Sequence, residues 1–158
     1  MVAHGEIFTV ATDRGEPQRV TDTPWKEQEP RWSPDGKWIA FVSDRTGREE
    51  IFISDELGKN PKKLSSVDCD KTGIVWASDS KSLLWSGSDH KLRRVEIETG
   101  KEEVLASNDA GNIQGAQFSP DGKFILYSTR GAGPGTRMQV LPNYSGRFVT
   151  ARSFPRSV

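Results

Sequence analysis

Apolar and aromatic residues fall along this chain in runs of four to six, bounded by Pro, Asp and Gly, and no segment keeps helical spacing over ten residues. Every element is therefore predicted to be a short strand. The pattern also repeats. RWSPDGKWIAFVSD from Arg31 returns as VWASDSKSLLWSGSD from Val75 and as QFSPDGKFILYSTR from Gln117, which puts Trp32, Trp76 and Phe118 in register at spacings of 44 and 42 residues. A second series lies between them, in which Ile7, Ile51, Leu92 and Met138 each open a strand-like run followed by a turn at Gly15, Gly58, Gly100 or Gly146. SPDGK and SDSK supply the turn chemistry between the first two strands of each unit, because Pro presets φ and Gly accepts a positive φ. Asp35, Asp79 and Asp121 are accordingly expected to be turn formers.

Four antiparallel strands in about 40 residues is the pattern of a β-propeller blade, whose sheet packs face to face with its neighbours around a channel. The predicted fold is all-β, a partial propeller over residues 1–154. It divides into a half blade (1–24), full blades at 28–67, 72–108 and 114–153, and a tail at 155–158. Ile39, Phe41, Leu83, Trp85, Ile125 and Tyr127 occupy matching positions of the second strand, where a blade is buried on both faces. The five tryptophans and the phenylalanines are expected to be core. Closed propellers have about four to eight blades, since closure protects the edge strands. Three and a half leave two open faces, so the chain is expected to self-associate, with a dimer completing the ring.

Composition narrows the function classes. The 22 basic and 22 acidic side chains cancel, so no nucleic-acid or anionic-membrane partner is expected. The single cysteine, Cys69, forms no internal disulfide and reads as a buried, inert thiol. MVAHGEIFTV contains no basic stretch followed by a long apolar run, so neither a secretory signal nor a membrane span is expected, and the setting inferred is soluble and cytoplasmic.

Catalytic motifs are scarce. His4 and His90 are the two histidines, neither of them in an HExxH or zinc-type spacing, there is no GxSxG elbow, and GAGPG at 131–135 lacks the GK[ST] ending of a phosphate loop. No catalytic residue, resident metal or cofactor is expected. Calcium is the one ion with candidate ligands, at Asp68, Asp70 and Asp79. Binding residues are expected on the loops that lead from the last strand of one blade into the first strand of the next. These loops, TPWKEQE, DCDKTG and NDAGNIQG, carry Lys26, Glu27, Glu29, Asp70, Lys71, Asn108, Asn112 and Gln114 to one mouth of the channel. The loops SDRTGRE, SGSDHK and TRGAGPGTR are assigned to a second mouth, where Arg45, Arg48, Arg130 and Arg137 suit a carboxylate.

HGEIFTVATDRGEPQRVTDTP followed by EPRWSPDGKWIAFVSDRTGREEIFISD resembles the seven-bladed propeller of tricorn-like proteases, and more loosely the TolB propeller. The likeness runs from His4 to about Leu141. It implies a propeller that precedes a PDZ domain and a serine-protease domain and guides peptides to a catalytic chamber. Neither domain is in this sequence, and the family's catalytic Ser and His lie outside the part that matches. SGRFVTA fits a fourth strand of the last blade, whereas SFPRSV continues no repeat. The function expected is a non-catalytic module that binds peptide or protein at its channel mouth and closes a ring with another copy. The competing readings are a propeller hydrolase, either a calcium-dependent esterase or lactonase or one associated with a peptidase, and a fragment without activity of its own.

Overall fold

A computed structural model describes residues 5–13, 15–130, 136–142 and 152–153. All of its regular elements are strands, arranged as one hairpin and three four-stranded antiparallel sheets. The hairpin pairs β1 (Phe8–Thr9) with β2 (Gln18–Arg19). Blade 1 comprises β3 (Glu27–Trp32), β4 (Trp38–Ser43), β5 (Glu50–Asp55) and β6 (Lys62–Lys63). Blade 2 comprises β7 (Lys71–Trp76), β8 (Ser82–Gly87), β9 (Lys91–Glu96) and β10 (Glu102–Ser107). Blade 3 comprises β11 (Ile113–Phe118), β12 (Phe124–Arg130), β13 (Thr136–Pro142) and β14 (Arg152–Ser153). Within each blade the strands pair in chain order, and the first strands β3, β7 and β11 lie against one another along one side, as the lining of a channel.

The turns between first and second strands form as their chemistry dictates. In blade 1 the Ser33 hydroxyl donates to Asp35 (2.7 Å) and accepts from Trp38 N (2.9 Å), and Gly36 takes φ +72°. Blade 3 repeats this with Ser119, Asp121, Phe124 and Gly122. The serine hydroxyl bonds hold the Asp35 and Asp121 carboxyls below their ordinary value. Blade 2 has Ser80 at the glycine position, at φ +59°, and its hydroxyl accepts from Asp35 N (3.1 Å), so the altered turn is tied to its neighbour.

The core lies between blades. Ile39 and Phe41 pack with Ile7 on the hairpin side, while Ala40 and Val42, one residue out of phase, pack with Ile74, Leu83 and Trp85 of blade 2. Leu84 and Leu92 then meet Ile113, Ile125 and Tyr127 of blade 3. Because both faces of each middle sheet are covered, β4 and β8 read as unbroken apolar runs without alternation. Burial of each such side chain stabilises the stack by roughly 1.5–3 kcal/mol. The tryptophans divide: Trp85 and Trp76 are core, whereas Trp25 and Trp32 are 42% and 48% exposed, as are Phe8 and Phe124 at 55% and 44%. Phe124 and Met138 belong to the face of blade 3 opposite the one that Ile125 and Tyr127 apply to blade 2. Phe8 stands in the same relation to the buried Ile7.

Candidate functional site

Four antiparallel strands alternate in direction, so the loop entering a blade and the hairpin between its second and third strands emerge at the same end. The hydrogen bonds confirm it. Lys26 N donates to Asp44 Oδ1 (2.9 Å) and Asp44 N to Lys26 O (3.3 Å). Asp70 N donates to Ser88 Oγ (3.1 Å), Ser88 N to Asp70 O (3.0 Å), and Asn108 N to His90 O (3.0 Å). The two mouths inferred from the sequence are therefore one. Arg45 and Arg48 sit at the same end as Lys26 and Asp70, and the side chains of Arg130 and Arg137, with residues 131–135, lie outside the described part.

Three of the expected ligand contacts are internal: Glu29, whose carboxylate is bonded to blade 2, and the buried Glu27 and Lys71. Glu27 is fully buried, with Oε1 accepting from Thr23 Oγ1 (2.7 Å) and Arg45 (3.1 Å). The Arg45 guanidinium lies 4.7 Å from the Phe52 ring centre, 5.2 Å from that of Phe41 and 5.8 Å from that of Trp25. Lys71 is also fully buried. Its ammonium donates to the carbonyls of Glu49 (2.7 Å), Val67 (2.7 Å) and Cys69 (2.9 Å) and lies 3.2 Å from Glu50 Oε2. Three N–H groups among four acceptors leave nothing to offer a ligand. Glu27 and Lys71 read from the sequence as exposed loop charges at the mouth, but they begin strands β3 and β7 and their side chains turn into the blade contacts.

Around Lys71 lie Arg93, Asp89 and Glu102, which the sequence does not mark, and Cys69, which reads as a buried thiol and is partly buried. Arg93, across β8–β9 from Trp85, stacks 4.8 Å from its ring centre and is held by both oxygens of Asp89. That pairing lowers the Asp89 carboxyl and raises the Arg93 guanidinium. Burial pushes up Glu102 and, together with the Asp89 charge, the Cys69 thiol. The repeat itself held the signal, since Phe41 and Trp85 stand 44 residues apart, as do Glu27 and Lys71.

The remaining mouth residues stay near the surface. Lys26, Asp70, Asn112 and Gln114 are exposed, and Arg48 is half exposed and paired with Asp68 (3.0 Å). Asn108 is partly buried, with its amide donating to Gly111 O (2.8 Å) as a turn former. Asp79 is at the other end of β7 from Asp70, about 20 Å away at the strand rise, so the three proposed calcium ligands are not brought together. Among the described residues no cluster of three or more His, Cys, Asp or Glu is placed to hold a metal ion.

Below the mouth, each first strand carries a bulge whose central residue is left-handed: Glu29 (φ +53°), Gly73 (φ +69°) and Gly115 (φ +62°). Glu29 reaches from blade 1 onto the bulge of blade 2. Its carboxylate accepts from Thr72 Oγ1 (2.8 Å), Gly73 N (2.7 Å) and Ile74 N (3.4 Å). At the opposite end a cleft of about 730 Å³ opens between blades 1 and 2, lined by Trp38, Ile53, Lys62, Arg94 and Ile97. No helix among the described residues is long and apolar enough to cross a membrane.

Comparison with known proteins agrees with this architecture. The family model described as the tricorn protease N-terminal beta propeller domain matches residues 1–136. The uncharacterised peptidase YuxL of Bacillus subtilis (strain 168) is 30% identical over 115 residues, covering 69% of this chain and 17% of that protein. The chain spans 11% of the TolB protein of Syntrophus aciditrophicus, at 44% identity over 48 residues. Among solved structures, TolB from Acinetobacter baumannii superposes with a TM-score of 0.74 at 21% identity, over 90% of this chain and 36% of that one. The tricorn protease superposes at 0.71 and 18%, over 90% of this chain and 14% of that one.

Proposed function

The chain belongs to the family of tricorn protease N-terminal β-propeller domains, and from that premise we propose that it is a non-catalytic binding module. It takes a peptide or protein segment at the end of the channel where the blade-entry loops and the β4–β5 and β8–β9 hairpins converge. The observation that carries this is Trp25. It is an aromatic side chain 42% exposed at that end, backed by Arg45, whose charge is already taken by buried Glu27. A large, rigid, amphipathic ring on a fixed loop, at the same end of the blades as exposed Lys26, Asp70 and Asn112, is the composition of a protein-binding hot spot. Selection of a displayed random-peptide library on the 158-residue chain is expected to enrich peptides whose affinity falls about tenfold or more with Trp25→Ala. Lys81→Ala, at the far end, is expected to leave that affinity unchanged. Failure to enrich any peptide, or binding indifferent to Trp25, would overturn the reading.

Ring closure is the second part of the proposal. Phe8 and Val10 on one flank, and Phe124 and Met138 on the other, are apolar and 44–61% exposed, where the blades between them have covered faces. Further blades of the same kind satisfy such faces. In the isolated chain these come from a second copy, so light scattering during size exclusion is expected to give twice the 17.6 kDa chain mass. A folded monomer at all concentrations would rule this out.

A further inference from the structure

The bulge of blade 2 holds a carboxylate, and the bulge of blade 3 has the parts to hold another. Glu29, Gly73 and Gly115 are repeat equivalents, separated by the same 44 and 42 residues as Trp32, Trp76 and Phe118. All three are left-handed and all three interrupt the pairing of their strand with the next. In blade 2 the left-handed residue turns its N–H toward blade 1, and Gly73 N and Thr72 Oγ1 close on the two oxygens of Glu29 at 2.7 and 2.8 Å. The blade 3 counterparts are Gly115 N, Ala116 N and the side-chain amide of Gln114. The residue that would reach them from blade 2, as Glu29 does from blade 1, is Gly73, which has no side chain. No side chain of the described residues accepts from Gly115 N or Ala116 N, and Gly115 and Gln114 are exposed. The space is open, since a Cβ built on Gly73 meets nothing within 4 Å and one on Gly115 meets only Ser128 Oγ at 3.8 Å.

Blade 1 shows what disables such a slot. Its counterparts are Gln28, Glu29 N and Pro30. Proline has no N–H to give, and the Gln28 amide donates to Glu49 (2.8 Å). Of the three described bulges one is filled from within, one lacks a donor, and one keeps the blade 2 donor types and receives no side chain of the described residues.

We propose that the Gln114–Gly115–Ala116 bulge is a carboxylate-binding slot on the channel wall, which takes the C-terminal carboxylate of a bound peptide in the place that Glu29 takes one blade earlier. The inference rests on the channel-mouth reading above and assigns the chemistry of one end of the ligand. Backbone N–H groups turned together by a left-handed residue form a concavity suited to anions, and hydrogen bonds to a charged acceptor are the stronger kind. Glu29 indicates the preference: it occupies a φ that non-glycine residues rarely adopt, and its carboxylate compensates through three donors.

The slot is tested by following the amide signals of the ¹⁵N-labelled chain while acetyl-Ala-Ala is added, as the free acid and, at matched ionic strength, as the C-terminal amide. The free acid is expected to move Gly115 and Ala116 saturably, and the amide to bind about tenfold more weakly or worse. Gly73→Glu, which copies Glu29, should fill the slot from within and weaken the free acid by a similar factor. Ala116→Pro, which copies the Glu29–Pro30 pair that blade 1 already folds with, should do the same by removing a donor. Equal binding of acid and amide at Gly115, or unchanged binding to Gly73→Glu and Ala116→Pro, would overturn the slot. Shifts confined to Trp25 and Lys26 would overturn the slot while leaving the mouth as a binding surface, and no shift anywhere would overturn both.

Discussion

Blades 1 and 2 occupy the same position in the repeat and fill it with opposite charges. At the start of the first strand blade 1 has Glu27 and blade 2 has Lys71, each wholly buried. In the following hairpin blade 1 has Arg45 and blade 2 has Asp89, and both blades put an aromatic ring, Phe41 or Trp85, beneath a guanidinium. The guanidinium comes from the hairpin in blade 1 and from the third strand, as Arg93, in blade 2. Blade 3 drops the charges, with Ile113 in place of Lys71 and Tyr127 bonded to Gln139. The repeat thus preserves a geometry, a ring capped by a satisfied polar group, while the residues that build it exchange roles. A charged residue at such a position is therefore interpreted from its burial and not from its presence on a loop.

The largest effect should come from breaking the blade 2 arrangement at its centre. Lys71→Ala leaves three carbonyls without their donor and takes the nearest cation from buried Glu50, which keeps Ser65 Oγ (2.6 Å) and the more distant Lys63 and Arg48, a change expected to cost about 3–5 kcal/mol. Trp85→Ala belongs in the same range, at about 3–5 kcal/mol, because its ring is fully buried between blades. Urea denaturation monitored by circular dichroism measures both, and a loss below about 1 kcal/mol for either would mean that the packing there is looser than the contacts imply. The blade 1 counterpart, Glu27→Gln, should cost less, about 1–3 kcal/mol, since it keeps the bonds from Thr23 and Arg45 in weakened form and Arg45 is partly solvated. If Glu27→Gln were as damaging as Lys71→Ala, the two arrangements would be energetically equivalent despite their different burial.

These contrasts also mark where the sequence was legible. The strands, their order and the blade count followed from alternating turns and runs, because a blade is a local unit and SPDGK states its own turn. The placement of the second set of loops did not, although strand reversal alone puts Arg45 beside Lys26; it required counting directions rather than matching segments. Glu27 and Lys71 were misplaced for a different reason. Nothing local distinguishes a lysine that points into solvent from one whose N–H groups are consumed by Glu49, Val67 and Cys69. Glu29 reads from the sequence as a ligand contact at the mouth, whereas its carboxylate is bonded to Thr72, Gly73 and Ile74, and those partners lie 43 to 45 residues away on another blade.

Acid should separate the blades next. The Asp89 carboxyl is held below its ordinary value of 3.8 by the Arg93 hydrogen bonds. Its contribution is therefore fully present above the unfolded value and is lost as pH falls through the lowered folded one. Asp89→Asn should lower stability near neutral pH and flatten the decline on acidification below about pH 4. Melting temperatures measured across that range report it, and parallel curves for the two proteins would show that the pairing does not govern the acid limb.

The smallest effect is also the most local. Trp25 and Cys69 are repeat equivalents, 44 residues apart, and each lies beside the hairpin residue that changes sign between blades. Arg45 stacks on Trp25, whereas Asp89 faces Cys69 and, after burial, is the next influence raising the thiol. Lys71 and Arg93 oppose it. Because the thiolate is the reactive form, Cys69 should alkylate more slowly at pH 8 than a free cysteine, and Asp89→Asn should speed it, since the Asp89 charge is one of the influences raising the thiol. Iodoacetamide kinetics followed by mass spectrometry give both rates. If the rates of the two proteins were equal, burial alone would govern the thiol, and the sign of the hairpin charge would matter to Arg93 and not to its neighbour.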